Sequence, residues 1–284
     1  KIDFFINKMS ITNKIKLFLN KRKMRSNNSI HLSRNVFHQC LLYFFSKRNI
    51  GVIAKNKKFE NSCKGERCFI LFTGTSIKNY DLSILKNEKV IASGKAFLHK
   101  NFNNCSPFAY FNPGPWEPRS LLHVDFISSG IYKNTSKGCN IFFDITSRPY
   151  IKDVIYSRIE DTFFISNKGN YISSDGIESD LHKPNNIQEG SLSCGLGIAA
   201  YMGFKEIYML GQDFLTDPPV YGHFYDGFHE IGNSEDYQVY RKRALWMIKH
   251  LEEKGCKVIN VIKDEKHSAS FESVTFKDLE AILN

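Results

Sequence analysis

Short apolar runs alternate with longer segments of helical periodicity from residue 68 to the end of the chain. Runs such as CFILF (68–72) are apolar at every position, which is typical of strands buried on both faces of a parallel sheet. The alternation of strands and helices predicts an α/β fold, namely a Rossmann-like, mainly parallel sheet with helices on both faces. The expected strands are 68–72, 89–94, 108–114, 140–145, 161–166, 206–214 and 257–262, and the clearest helices are 190–203 and 234–254.

Sheets of this kind bind ligands beyond the carboxyl ends of their strands. The loops that matter therefore follow the predicted strands, at 73–76, 93–95, 112–116 and 213–230. The connection from about 215 to 233 is longer than a compact domain needs, and such connections are often lids or binding loops. We expect this segment to be a long lid.

The positive charge is confined to the beginning of the chain. The whole chain carries a net charge of +10, but residues 1–58 contain fourteen Lys and Arg against one acid, Asp3, which gives +13 and leaves −3 for residues 59–284. We therefore expect two parts, a basic amphipathic helical arm (1–58) and a catalytic domain (59–284).

The arm also contains bulky apolar side chains, in Ile15–Met24 and Val36–Phe45. That mixture favours a helix lying on an anionic membrane surface over an arm that binds nucleic acid. The alternative is a solvated arm whose apolar residues pack on the body. No apolar run approaches the roughly 20 residues that span a bilayer, and no signal peptide is evident. The expected location is cytoplasmic, peripheral at the inner face of the membrane.

The seven cysteines are scattered and odd in number. Several, such as Cys139, Cys194 and Cys256, lie in apolar segments, so we expect buried free thiols in a reducing compartment. The pair Cys63 and Cys68 has no second pair to complete a zinc site.

Three short motifs follow predicted strands or open a helix. FTGTS (72–76) has a glycine turn with two hydroxyls where a phosphate or nucleotide could approach, although any strand–helix turn can look this way. Asn112, in FNPGPW, could read a base or sugar or simply make turn hydrogen bonds. Gly190 and Ser191 open a small-residue helix, which suits an anion site or plain capping by Ser191 or Ser193.

Asp213 ends the most apolar predicted strand, where a carboxylate could orient a loop or a ligand. The chain contains no Asp-x-Asp pair. That absence speaks against a nucleotide-sugar transferase that depends on Mn²⁺ or Mg²⁺, so no metal cofactor is expected.

The predicted lid contains YGHFYDGFHE (221–230), with His223 and His229 among aromatic side chains. The spacing between the two histidines is not a usual zinc spacing, and no cysteine lies nearby. From the residues alone, a metal site, a general acid or base, and an aromatic loop all stay open.

Taken together, FILFTGTSIKNYDLSIL (69–85), VIASGKAFLH (90–99), YFNPGPW (110–116) and SLSCGLGIAAYMGFKEIYMLGQDF (191–214) resemble the bacterial CMP-sialic-acid sialyltransferases of glycosyltransferase family 42. They also resemble the related motility-accessory group, which comprises flagellin nonulosonate transferases and hydroxymethylpterin-diphosphokinase-like proteins. The likeness covers roughly 68 to 284, and it implies a GT-A-like variant of the fold.

The resemblance implies a role for each matching residue. The nucleotide turn corresponds to Thr73, Gly74, Thr75 and Ser76, and the next two nucleotide positions to Gly94, where the family has asparagine, and Asn112. Ser191, beside Gly190, matches the serine that contacts phosphate, and the two phosphate-binding tyrosines fall on Leu215 and Tyr221. The catalytic histidine is His223 or His229. We favour His223, with Tyr225 assisting the leaving phosphate and Phe224 and Phe228 closing over the donor.

The implied function is a metal-independent glycosyltransferase that moves a sialic-acid-like sugar from a CMP-activated donor to a hydroxyl of a glycan or glycolipid, with histidine as general base. Its expected partners are that donor, that acceptor, an anionic membrane surface and further copies of itself, but no nucleic acid. The expected setting is polysaccharide or lipooligosaccharide biosynthesis.

Two alternatives stay open at this stage. The first is a Mg²⁺-dependent pterin pyrophosphokinase-like enzyme, with Asp213, Asp217 and Asp226 as the local carboxylates. The second is a non-catalytic, membrane-associated binding protein of the same fold, which Gly94 and Leu215 favour because both depart from the family's pattern.

Overall fold

The structure is a computed structural model. It describes residues 51–113, 121–148, 151, 156–166, 180–183, 190–227, 229–231, 235–264, 268–269 and 271–283. The chain divides into two compact units, Lys1–Ser46 and Lys47–Asn284. The described residues all belong to the second unit, so the first fifty residues of the predicted arm lie outside them.

One parallel sheet of eight strands forms the centre of the body. Along the sheet the strand order is β12-β10-β6-β1-β2-β3-β4-β5, and every neighbouring pair is parallel. The predicted α/β class is therefore confirmed. The strands of this sheet are β1 (Arg67–Leu71), β2 (Val90–Ser93), β3 (Ala109–Asn112), β4 (Asn140–Asp144), β5 (Thr162–Ile165), β6 (Glu206–Leu210), β10 (Lys257–Ile262) and β12 (Ser273–Thr275).

The remaining strands form two short antiparallel pairs, and the loops contain many single turns of 3₁₀-helix. β7 (Thr216–Asp217) pairs with β11 (Ser268–Ala269), and β8 (Val220–Gly222) pairs with β9 (His229–Ile231). The 3₁₀ turns are Lys55–Phe59, Thr75–Asn79, Leu82–Leu85, Ala96–Leu98, Phe102–Asn104, Ile145–Ser147, Tyr156–Arg158 and Asp213–Leu215.

Besides the helical residues 51–54, four α-helices in the described part of the chain complete the body: α1 (Leu121–Asn134), α2 (Ser191–Met202), α3 (Glu235–Glu253) and α4 (Phe276–Leu283). The sequence predicts α2 and α3 but misses α1 and α4. In α1 the run SSG interrupts the apolar period. The glycine, the serines and the β-branched residues also lower helix propensity. α4 has only eight residues, too few for periodicity to stand out.

Close packing places α2 on one face of the sheet. A Cβ atom on Gly195 would lie 2.9 Å from Phe111 Cζ and 3.2 Å from Phe72 Cζ. Real Cβ atoms essentially never come within 3.0 Å of another heavy atom, so a larger residue at position 195 would push the helix away. Glycine at this position lets the helix axis lie close to the strands. The sequence predicts this packing role for the glycines and alanines of α2, and Gly195 confirms it.

Residues 51–59 also pack against this sheet. The Phe59 ring makes edge contacts with Phe142 and Phe163, at centroid distances of 5.0 and 4.7 Å. The buried Asn56 amide donates to the carbonyl oxygens of Phe164 and Leu181, at 2.7 and 2.8 Å. The last residues of the predicted arm, 51–58, thus contribute to the body.

The six described cysteines are free and buried. Burial raises the pKa of their thiols, most strongly at Cys68 and Cys194, so they stay protonated and inert at neutral pH. The expectation of buried free thiols is confirmed for these six. Among the described residues, no helix combines the length and the apolar character needed to cross a membrane.

Candidate active site at the switch point of the sheet

The sheet reverses its strand order between β1 and β6. From β1 the chain continues through β2, β3, β4 and β5 in one direction, whereas β6 continues through β10 and β12 in the other. In open α/β sheets the loops that leave two such strands diverge and form a crevice at the carboxyl edge. Here those loops begin at Phe72 and Gly211.

Two adjoining cavities lie at this crevice. The larger has a volume of about 550 Å³ and reaches the start of α2. The smaller has a volume of about 310 Å³ and reaches Lys263, which follows β10. Asp213 and His223 border both cavities. The other predicted site residues at the larger cavity are Thr73, Gly74, Gly94, Gly190, Ser191 and Tyr221, and those at the smaller are Thr75 and Ser76.

Asp213 connects the exits of β1 and β6. Its Oδ2 atom accepts hydrogen bonds from the Thr75 hydroxyl at 2.9 Å and from the Ser76 amide at 2.7 Å. The close approach of the two strand exits requires glycine at position 74. A Cβ atom there would lie 2.4 Å from the Gly211 carbonyl oxygen and 2.8 Å from Asp213 Oδ2. The sequence left two roles open for Asp213, orienting a loop or orienting a ligand. The structure shows the first, because Asp213 holds the loop that follows β1.

This contact changes the expected place of a phosphate. The sequence allows a phosphate or nucleotide to approach the turn at 72–76, but the Asp213 carboxylate already accepts a hydrogen bond from the Ser76 amide. A second anion beside that carboxylate would be repelled. A different helix start is therefore better suited to an anion.

The start of α2 is such a place. Gly190 is the N-cap residue, with φ of 100°, and since glycine has no side chain it supplies no capping hydrogen bond. Ser191 and Ser193 lie inside the first turn of the helix, after the N-cap position. Residues 190–193 line the larger cavity. The first amides of a helix have no partner within it and carry the positive end of the helix dipole, so this end can bind an anion.

The tip of the lid is attached to the exit of β1. His223 Nδ1 and Thr73 Oγ1 are 2.9 Å apart, and the Phe224 amide donates to the Thr73 carbonyl oxygen at 3.0 Å. The Tyr225 ring stacks on the His223 ring, with centroids 5.0 Å apart and an angle of 16° between the planes. Lys95 Nζ lies 5.0 Å from the centroid of Tyr225. The His223 ring is thus held from two sides.

This arrangement suits proton transfer. When His223 carries its proton on Nδ1 and donates it to Thr73, the lone pair is on Nε2, where a reacting hydroxyl can be deprotonated. Burial, and secondarily the negative charge of Asp226, raises the pKa of Tyr225 to about 12. A hydrogen bond with the Thr73 side chain lowers this pKa, but by less than burial raises it. The Tyr225 hydroxyl therefore remains protonated at neutral pH and can donate a hydrogen bond.

Other predicted residues lie farther from this centre. Asn112 is buried at the end of β3 and borders neither cavity. Leu215 is wholly buried in the core and borders neither cavity. His229 lies in β9, where its backbone pairs with Gly222 of β8. The side chain of His229 and the whole of Phe228 lie outside the described part of the chain.

Three lysines escaped the sequence analysis as candidates. Lys78 and Lys263 line the smaller cavity, and Lys95 contacts Tyr225. The rule that ligands bind beyond strand ends could have found Lys263, because it directly follows β10. That rule does not point to Lys78, which lies within the Thr75–Asn79 turn and does not directly follow a strand. Among the described residues, no group of three His, Cys, Asp or Glu side chains is placed to hold a metal ion.

Comparisons with known proteins complete the description. No protein-family model matches the sequence, and no curated protein matches it. Solved structures of the sialyltransferase CstII are similar to this chain. The complex of the Campylobacter jejuni enzyme with the substrate analogue cytidine 5′-monophosphate has 15% identity and a TM-score of 0.41, and covers 71% of this chain and 82% of that chain.

The complex of CstII with a trisaccharide acceptor and CMP has 14% identity and a TM-score of 0.40, over 70% of this chain and 82% of that chain. The complex of the Campylobacter jejuni enzyme with CMP-3FNeuAc has 15% identity, the same TM-score of 0.40 and the same coverage, 70% and 82%. Because identity and TM-score are both low, the functional proposal rests on the site.

Proposed function

We propose that the chain is a metal-independent glycosyltransferase that moves a sialic-acid-like sugar from a CMP-activated donor to a hydroxyl of a glycan or glycolipid. The observation that carries this proposal is the position of His223. Its imidazole contacts Thr73 through Nδ1 and borders two adjoining cavities, the larger of which reaches the start of α2. Residues of three of the segments that resemble family 42, namely 69–85, 90–99 and 191–214, line the same crevice.

The donor occupies the larger cavity in this proposal. Its phosphate lies at the α2 amides, which stabilise the charge that grows as CMP departs. The bond between the anomeric carbon and the phosphate oxygen breaks, and its electron pair leaves with CMP. Tyr221, the second tyrosine of the family pattern, lines this cavity, whereas Tyr225 borders neither cavity and stacks on the His223 ring.

The acceptor hydroxyl reacts at the other side of the donor. As its oxygen forms the new bond to the anomeric carbon, its proton passes to Nε2 of His223. Thr73 holds the imidazole so that Nε2 carries the lone pair, which makes Thr73 a positioning residue in this mechanism. No step requires a metal ion.

The pyrophosphokinase alternative fits the geometry less well. It needs carboxylates that can hold Mg²⁺ beside a nucleotide phosphate. One oxygen of Asp213 already accepts two hydrogen bonds, and Asp217 lines neither cavity. Of the three candidate carboxylates, only Asp226 lines the cavities beside His223 without accepting those two hydrogen bonds.

A donor screen tests the proposed function. The full chain is incubated with CMP-activated nonulosonic acids, UDP-sugars or ATP, with and without EDTA, and the released nucleotide is measured by chromatography. We expect CMP release from CMP-sialic acid or a related donor, unchanged by EDTA. ATP consumption that EDTA abolishes would support the pyrophosphokinase instead. Absence of thermal stabilisation by CMP, CDP and ATP at saturating concentration would favour a non-catalytic protein.

We further propose that the basic arm brings this enzyme to an anionic membrane surface at the cytoplasmic face, where lipid-linked acceptors are found. The charge of +13 in residues 1–58 supports this. Co-sedimentation with vesicles should require anionic lipid and weaken as salt is raised, because exposed charges are screened. Equal binding to neutral vesicles would contradict it.

A further inference from the structure

A buried side-chain amide, that of Gln212, borders the larger cavity without a hydrogen-bond partner among the described residues. Gln212 follows β6 and does not border the smaller cavity. Only 5% of its surface is exposed. It is the N-cap residue of the Asp213–Leu215 turn, yet its side chain makes no capping hydrogen bond. Neither Oε1 nor Nε2 is sealed within the protein, so the amide faces the cavity.

Other polar side chains of this cavity are engaged elsewhere. Ser93, Thr73 and Asp213 make hydrogen bonds at the strand exits. Ser191 and Ser193 belong to the first turn of α2, where the donor phosphate is proposed to lie. Among the described lining residues there is no lysine or arginine, and Gln212 supplies the one side-chain amide. That amide is therefore available to an uncharged part of the ligand.

An unpaired amide is unfavourable inside a protein, at a cost of about 1–3 kcal/mol. A ligand that supplies the missing hydrogen bonds removes this cost, and a site of this kind discriminates strongly against ligands that lack the matching groups. Phe214, Val220 and Ala244 add aromatic and aliphatic surface to the same cavity. An amide among such side chains suits a flat, uncharged group.

The shape of the amide favours a nucleobase over an N-acyl group of the sugar. A carboxamide presents a donor and an acceptor side by side. The edge of a pyrimidine presents the matching pair, which in cytosine is the amino group beside the ring nitrogen N3. A secondary amide is trans, so its N–H and C=O point to opposite sides and only one of them can meet Gln212. Two hydrogen bonds are therefore available with the base and one with an N-acyl group.

We propose that Gln212 determines the nucleotide specificity of this enzyme by forming two hydrogen bonds with the pyrimidine edge of the donor's base. This deepens the proposed function and rests on it. The resemblance to family 42 implies nucleotide contacts at Gly94 and Asn112 instead. Gly94 has no side chain, and Asn112 borders neither cavity, so neither position brings an amide to the donor. Gln212 supplies that group from a different strand exit.

Calorimetry on the full chain with CMP and with ribose 5-phosphate tests this assignment, because the two ligands share the phosphate and differ in the base. Gln212→Met keeps the length of the side chain and removes both hydrogen-bonding groups. It should weaken CMP binding by about 5- to 100-fold, the usual effect of losing a bidentate base contact, and leave the Kd of ribose 5-phosphate within about twofold. Gln238→Met is the matched control, at an exposed glutamine of α3 that borders neither cavity, and should change neither Kd.

Urea denaturation separates a role in recognition from a role in folding. Replacing an unpaired buried amide by an apolar group of similar shape should leave the free energy of unfolding unchanged or raise it. An equal loss of affinity for both ligands, or an unchanged affinity for CMP, would overturn the assignment to the base. Unchanged CMP affinity with a raised KM for the complete donor would also overturn it, and would place the contact on the sugar.

Binding of CMP does not require turnover, so failure of this inference and failure of the proposed function can be told apart. CMP release from a donor, together with a CMP affinity that does not depend on Gln212, would overturn the inference and leave the proposed function standing. CMP binding that depends on Gln212, without CMP release from any donor, would overturn the proposed transferase and leave the recognition of the base established.

Discussion

Replacing His223 by alanine should lower kcat for sugar transfer by about 10²- to 10⁴-fold, the usual contribution of a positioned general base. The dissociation constant for CMP should change little, because the proposed phosphate site lies at α2 rather than at the imidazole. Initial-rate kinetics give kcat and KM, and calorimetry gives the affinity for CMP. A loss confined to kcat identifies a group that acts in the reaction and not in nucleotide binding.

His229→Ala is the matched control, since it removes the other histidine of the lid and should retain most of the transfer activity. Thr73 supplies a second comparison. Thr73→Val keeps the shape but removes the hydroxyl that contacts Nδ1, and should lower kcat, whereas Thr73→Ser should restore it. Full activity of His223→Ala, or a larger loss with His229→Ala, would show that the proposed base is wrong.

Replacing Asp213 by alanine should lower the free energy of unfolding by about 3 kcal/mol, because hydrogen bonds to a charged group contribute about 1.5–3 kcal/mol each and do not add fully. The Thr75 hydroxyl and the Ser76 amide both lose their acceptor. The exit of β1, which carries Thr73, would then be free to shift. Urea denaturation followed by circular dichroism measures the stability, and affinity for CMP should fall in parallel.

Asp213→Asn is the conservative partner of that variant. The amide retains one carbonyl oxygen of nearly the same shape, so it can accept one or both hydrogen bonds without the charge. We expect about half of the loss in stability and a smaller loss in affinity for CMP. If alanine were as stable as aspartate while CMP affinity collapsed, Asp213 would act on the ligand directly, and the loop-orienting role would be wrong.

The strands were readily predicted because their signal is local. Runs such as CFILF and KVINVI are apolar over the length of a buried strand, and both appear within one residue of their expected bounds. The strand expected over 206–214 instead ends at Leu210, and the short edge strand β12 (Ser273–Thr275) was not predicted. Helix α1 was missed because serine, glycine and β-branched residues hide its period. The motifs at the strand ends were also found, since parallel sheets bind ligands at that edge.

The roles of those motif residues depend on distant contacts. Asp213 reaches Ser76 across 137 positions of sequence, and His223 reaches Thr73 across 150. Both contacts exist because β6 lies beside β1. The order of strands in a sheet follows from the packing of the whole domain and from its connections, which no local pattern encodes. Sequence reasoning therefore placed the phosphate near the turn that Asp213 caps.

The sequence by itself determined the class of the fold, the strand-exit loops that hold the candidate site, and the concentration of charge in the arm, since each depends on the chemistry of neighbouring residues. The tertiary structure alone decided that Asp213 orients a loop, that the start of α2 lines the larger cavity, and that Lys78 and Lys263 line the smaller one. These are consequences of strand order, because β1, β6 and β10 are adjacent in space although far apart along the chain.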